Sequence, residues 1–195
     1  RAFENLPYFA RRQTLEGLYM QASPSSPFIF YLQSELSKEQ SCPFWNLYPC
    51  TSMNITKGTE HLKLFNVRHI IAVSEEAKQS FSTHPEYSLS SEIKEYSIFE
   101  LTTNENKYVV LSRYYPLYFP SKNWKKTSYD WFRYTNNSIP LVFEKEASEY
   151  KITSLDLVKP VPVLQDCYVN EDLEQEKITI QTNCINQPLI IKISY

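Results

Sequence analysis

Glycine is nearly missing from this chain: Gly17 and Gly58 are the only two in 195 residues, where an average composition holds about 7%. Loops that cradle phosphate need backbone that approaches closer than a Cβ permits, and neither G-x-x-x-x-G-K nor G-x-G-x-x-G can be written with these two residues. Nucleotide enzymes of both kinds are thereby excluded. The G-x-S-x-G elbow of the α/β-hydrolases is absent too. So is any block of like charge: 20 Lys and Arg stand against 22 Asp and Glu, for a net charge of −2. That balance gives no reason to expect nucleic acid as a partner, and it shows no polybasic membrane anchor. Long apolar runs are lacking as well. The densest stretch, Pro27 to Leu32, falls far short of the ~18 residues of a membrane span. No internal repeat or low-complexity segment interrupts the chain.

Metal chemistry finds no foothold in the pattern. The four cysteines form two local pairs, Cys42 with Cys50 and Cys167 with Cys184, and neither has C-x-x-C spacing. His61, His69 and His84 fit no zinc signature. His61 and His69 lie eight apart, which matches no common ligand spacing, so no metal and no cofactor is expected. Two local disulfides are the favoured reading, although four cysteines allow three pairings and buried free thiols are the alternative. Disulfides would place the domain in an oxidising, extracytoplasmic compartment. The acceptor triplets Asn54-Ile55-Thr56 and Asn136-Asn137-Ser138 are compatible with such a setting.

What the chain has in quantity is aromatic side chains, with 15 tyrosines and 11 phenylalanines. Apolar residues are 42% of the chain, enough for a globular core. The N-terminal stretch to about Gln40 reads helical, with Thr14 capping one short helix and Ser26-Pro27 starting another. Residues 41–58 read as an irregular loop. Leu62 to Val67 suit a short helix that leads into a strand over 68–73, and Ser74 caps a helix over 75–81. Alternating segments follow at 87–93, 96–101 and 108–111.

Pro116 and Pro120 mark a boundary. Beyond them come a helix over 124–134, a short strand at 140–143, and strands over 151–157, 177–182 and 189–195. The expected fold class is α+β. A helical N-terminus with a small α/β unit and a mainly antiparallel sheet occupies 1–115, and a helix with a β-rich, sandwich-like portion occupies 116–195. The start at Arg1, without methionine, and the end inside an apolar β-branched run read as excision points or limits of order.

Several stretches resemble one family. They are Arg11-Arg-Gln-Thr-Leu-Glu-Gly-Leu-Tyr19, Ser25-Ser-Pro-Phe-Ile-Phe-Tyr-Leu-Gln-Ser-Glu35, His61-Leu-Lys-Leu-Phe-Asn-Val-Arg-His-Ile-Ile-Ala-Val-Ser74, Glu95-Tyr-Ser-Ile-Phe-Glu-Leu101 and Gln187-Pro-Leu-Ile-Ile-Lys-Ile-Ser-Tyr195. They look like the soluble region of large polytopic bacterial and archaeal membrane proteins labelled as related to 6-pyruvoyl-tetrahydropterin synthase. The zinc-binding histidines of that enzyme have no counterpart here. The chain is also similar to extracytoplasmic domains of YfhO-like proteins and of C-class glycosyltransferase relatives. In that family the last stretch continues into a proline-tryptophan turn and further strands, which this chain lacks. The resemblance implies a domain joined to a membrane-embedded remainder of the same protein, which handles lipid-linked sugars or envelope polysaccharide. Catalytic acids in the glycosyltransferases sit near the membrane spans, so no catalytic residue is carried over.

Among candidate site residues, Glu16, Glu35 and Asp130 are acids of the kind a glycosidase pairs, and each reads equally as a cap or a solvated charge. The densest functional pattern is Tyr114, Tyr115, Tyr118, Phe119, Trp124, Tyr129, Trp131 and Tyr134, interleaved with Lys122, Lys125, Lys126 and Arg133. Flat aromatic faces beside hydrogen-bonding groups suit sugar rings, and they suit the headgroup zone of a bilayer equally. Tyr118, Trp124, Tyr129, Trp131 and Arg133 are the carbohydrate or interface candidates. The plainer alternative makes Trp124 and Trp131, seven apart on one helical face, core anchors. The expected role is non-catalytic, binding or positioning envelope glycan, lipid-linked sugar or a partner. The alternatives are an accessory part of a glycosyltransferase site completed in the membrane, and a structural spacer.

Overall fold

A computed structural model of the chain describes residues 6–10, 14–15, 25–37, 46–104, 107–134, 139–144, 162–163, 167–174, 177–184 and 189–191. The fold is α+β. It divides into two compact units, residues 1–106 with 193–195, and residues 107–192.

In the first unit, a short helix α1 (Leu6–Ala10) carries exposed Tyr8 and Phe9. Helix α2 (Ser26–Leu36) starts one residue earlier than its serine cap was expected: Ser25 is the N-cap, without a side-chain cap bond, and Ser26 is buried in the first turn beside Pro27. Four consecutive residues, Ile29, Phe30, Tyr31 and Leu32, are buried, so this helix is enclosed on most of its circumference.

The loop expected to run to Gly58 ends sooner, because Asn54 accepts a hydrogen bond from Lys57 N at 3.0 Å and starts α3 (Ile55–Leu64). Gly58 lies inside that helix, where it costs about 1 kcal/mol relative to alanine. Its use is close approach to α2. A Cβ there would stand 2.6 Å from Leu36 Cδ2 and 3.2 Å from Glu35 Cβ.

Helix α3 ends without glycine. Asn66 takes the left-handed conformation (φ 56), Asn66 N donates to Lys63 O at 3.1 Å, and Val67 N donates to Leu62 O at 2.9 Å. This pair of bonds is a Schellman closure, completed by the buried side chains of Leu62 and Val67. Asparagine is the residue after glycine that tolerates this backbone best.

Strand β1 (His69–Ala72) leads into α4 (Glu75–Thr83), whose N-cap Ser74 accepts from Ala77 N at 3.3 Å. Strands β2 (Tyr87–Ile93) and β3 (Tyr96–Leu101) follow, giving a three-stranded sheet in the order β1-β3-β2. Both outer strands pair antiparallel with β3, so β1 and β2 run parallel to each other and α4 is the crossover between them. The core gathers Leu32, Leu62, Val67, Ala72, Ala77, Phe81, Tyr87, Phe99 and Leu101. Ser97, Phe99 and Leu101 alternate inward along β3 as a half-buried strand requires.

The second unit is built from strand pairs. Strand β4 (Val109–Leu111) pairs antiparallel with β9 (Leu189–Ile191), and β5 (Leu117–Pro120) pairs parallel with β6 (Leu141–Glu144). Strands β7 (Val169–Glu174) and β8 (Lys177–Thr182) form an antiparallel pair. Between β5 and β6 lie a 3-10 turn (Ser121–Asn123) and α5 (Trp124–Tyr134). Among its described residues the buried apolar ones are Val109, Phe119, Tyr129, Phe132, Ile139 and Val163. The strand expected over 151–157 lies outside the described residues, as does the part of the last strand beyond Ile191 and most of the helix expected after Thr14.

A disulfide joins Cys167 and Cys184, with Cα atoms 5.0 Å apart. The register Val169↔Thr182 puts these cysteines opposite each other two residues further on, so the bridge closes the open end of the β7–β8 pair. Cys50 is also disulfide-bonded. Cys42 lies outside the described residues.

Candidate functional site

Among the described residues two places concentrate chemistry, one in each unit. In the first, the close approach at Gly58 brings α3 against α2 one turn before His61. His61 Nδ1–H donates to Glu35 Oε2 at 2.5 Å, with the two side chains 1% and 0% exposed. Tyr31 stands edge-on to the imidazole, ring centres 6.1 Å apart. Glu35 is therefore neither a helix cap nor a solvated charge, and the glutamate read as unremarkable from sequence is the most buried acid described.

A second polar contact lies beside this pair on α3. Thr59 Oγ1 donates to Ile55 O at 2.7 Å and lies 2.6 Å from the Tyr87 hydroxyl. Burial pushes the Tyr87 phenol up to about 12, and the hydrogen bond with Thr59 pulls it back only in part. The phenol is thus a neutral, locked group.

A carboxylate that orients an imidazole is half of a catalytic arrangement. Here both members are sealed from solvent, so no substrate reaches them in this conformation. The arrangement fixes α2 on α3. Its buried carboxylate retains an oxygen, Oε1, with no hydrogen-bond partner, and such polar burial specifies geometry more than it adds stability. His69, the other histidine weighed as a ligand, is exposed at the start of β1. Among the described residues no group of three or more His, Cys, Asp or Glu side chains is placed to hold a metal ion.

The second place is β5 with α5. Pleating along β5 turns Phe119 into the core, against Phe143 at 6.0 Å, and leaves Tyr118 at 39% exposure. Helix α5 begins clear of the core: Lys122, Asn123, Trp124, Lys125 and Lys126 are all exposed, and Trp124 is 39% exposed. The helix then sinks, with Tyr129 and Phe132 each 1% exposed, before Tyr134 emerges again. Lys125 Nζ lies 5.7 Å from the Trp124 ring centre, and the Arg133 guanidinium lies 4.5 Å from that of Tyr134. Both are cation–π distances. Asp130, the acid in this stretch, pairs with Lys126 at 2.7 Å and with Arg133 at 4.0 Å.

The sequence candidates thus separate. Tyr118 and Trp124 are each 39% exposed, and Tyr115 is 43% exposed. Trp131 and Arg133 are half-buried. Tyr129 is corrected outright: it is a core residue, three positions from Phe132 on the same helical face, and no surface ligand can touch it. The fully buried side chains of α5 are Tyr129 and Phe132, while Trp131 is half-buried and Trp124 is 39% exposed.

Compared with known families, residues 1–126 match one described as a domain of unknown function (DUF8559). The match takes in more than half of the 195 residues, and the chain belongs to that family. It spans all but the last residues of the first unit and continues through β5 to the first turn of α5. No curated protein and no solved structure gives a significant match.

Proposed function

We propose that this DUF8559 member is a non-catalytic extracytoplasmic domain that binds carbohydrate on the β5–α5 surface, on behalf of a membrane-embedded remainder of the same protein. The observation that carries the reading is the Trp124 indole, 39% exposed at the start of α5, with the Lys125 ammonium 5.7 Å from its ring centre. Sugar rings offer C–H faces to such surfaces and hydroxyls to the flanking polar groups. The Cys167–Cys184 bridge supports an oxidising compartment. No helix among the described residues is long and apolar enough to cross a membrane, so in this reading the tether lies outside them. The sealed Glu35–His61 pair favours binding over catalysis, since a catalytic part needs its acids open to substrate.

The experiment is a survey of the purified chain against envelope-type glycans and lipid-linked sugars, with Trp124→Ala and Tyr118→Ala run in parallel. The reading expects binding by the parent chain and its loss in the Trp124 variant, with folding unchanged by circular dichroism. Binding that survives both substitutions would place the site elsewhere and sink the proposal.

A further inference from the structure

We propose that the carbohydrate bound by the β5–α5 surface is acidic, a polysaccharide carrying uronic-acid carboxylates, with Trp124 and Tyr118 taking sugar faces and Lys122 and Lys125 taking the carboxylates. This rests on the carbohydrate reading above and narrows it.

Charge is segregated along the chain. Residues 107–143 hold Lys107, Arg113, Lys122, Lys125, Lys126 and Arg133 against the single acid Asp130, in a chain whose net charge is −2. The one acid is already engaged by Lys126 and Arg133. Lys122 and Lys125 are exposed, and neither has a carboxylate partner among the described residues. Lys125 is held near the Trp124 ring instead, where its charge stays uncompensated and directly beside the surface a sugar would cover. A neutral glycan leaves these cations unpaired. An acidic one pairs each.

The exposed apolar side chains argue for sugar over lipid. A surface that inserts into a bilayer presents Leu, Ile or Phe beside its Trp. Among the described residues of the second unit, the exposed large side chains are Tyr115, Tyr118, Trp124, Tyr134 and Tyr168, with Ile180 the one aliphatic side chain in that set. Each of those aromatics carries a hydrogen-bonding N–H or O–H suited to sugar hydroxyls.

The test titrates the full chain by calorimetry with three probes: polygalacturonate, the same polymer methyl-esterified to neutrality, and phosphatidylglycerol vesicles. A Lys122→Gln, Lys125→Gln variant and Trp124→Ala are titrated alongside. The proposal expects binding to polygalacturonate that weakens about tenfold on esterification, and by a similar factor in the double lysine variant. The tryptophan variant should lose both polymers. Equal affinity for the charged and neutral polymers overturns the acidic assignment and leaves the carbohydrate reading intact. So does a lysine variant that binds like the parent. Binding to vesicles alone, or to none of the three, overturns both.

Discussion

The first unit encloses its acid–base pair, whereas the second unit leaves its charged groups in the open beside exposed aromatics. Around α2 and α3, Glu35 and His61 are enclosed, while Val73, Leu89 and Ile93 reach solvent from the sheet. Around β5 and α5, Tyr129 and Phe132 are enclosed, while Tyr118, Trp124 and unpaired lysines reach solvent. A buried side-chain hydrogen bond fixes how two helices meet. A part-exposed aromatic with a cation beside it keeps surface that a ligand can cover. Burial, more than residue type, separates the structural chemistry of this chain from the chemistry available to a ligand.

Removing one partner of the buried pair is the severest way to break that contrast. His61→Ala should lower the unfolding free energy by about 3–5 kcal/mol, because the Glu35 carboxyl then stays buried without the imidazole, and Glu35→Ala should lower it too by removing the same contact. Urea unfolding measures this, and the double Glu35→Leu, His61→Leu variant should recover much of the loss. If the single variants unfold like the parent, the pair does not hold α2 on α3. Cys167→Ser with Cys184→Ser should cost about 2–4 kcal/mol, read as faster amide exchange in β7 and β8. Unchanged exchange there would deny the bridge its role.

How much of this was legible in the sequence depended on range. Local signals were read correctly where cap and periodicity agreed: Ser74 opens α4, and the alternation at 87–93 and 96–101 became β2 and β3. The start of α3 was missed because the Asn54 cap sits in a stretch dominated by Pro and Cys. The Glu35–His61 contact spans 26 positions, and nothing in either segment alone announces it. The single trace was Gly58, a helix-interior glycine in a chain with almost none, three residues before His61. On α5 the helical face was inferable but not its depth. The spacing of Trp124 and Trp131 named a common face, while the first turn of the helix lies clear of the core.

Two smaller effects sharpen the same comparison. The raised phenol of Tyr87 means the folded chain holds a proton the unfolded chain releases at lower pH. Its stabilising contribution is complete below about pH 10 and is lost as pH rises toward about 12. Thermal unfolding across that window should fall more steeply for the parent than for Tyr87→Phe, and parallel profiles would remove the burial argument. Lys94, between β2 and β3, sits at φ 55, where a side chain costs roughly 1–2 kcal/mol. Lys94→Gly should therefore gain about 1 kcal/mol, less the extra freedom of glycine in the unfolded chain. A loss measured by the same urea unfolding would show that the strain is not there.

The most direct measurement is the indole N–H spectrum of the 15N-labelled chain, followed while polygalacturonate is added. The account predicts that the Trp124 signal, assigned by its disappearance in Trp124→Ala, moves first and furthest, with the half-buried Trp131 signal moving less. Saturating polymer that leaves the Trp124 signal in place would contradict the claim that the open ring on α5 is where this domain meets its ligand.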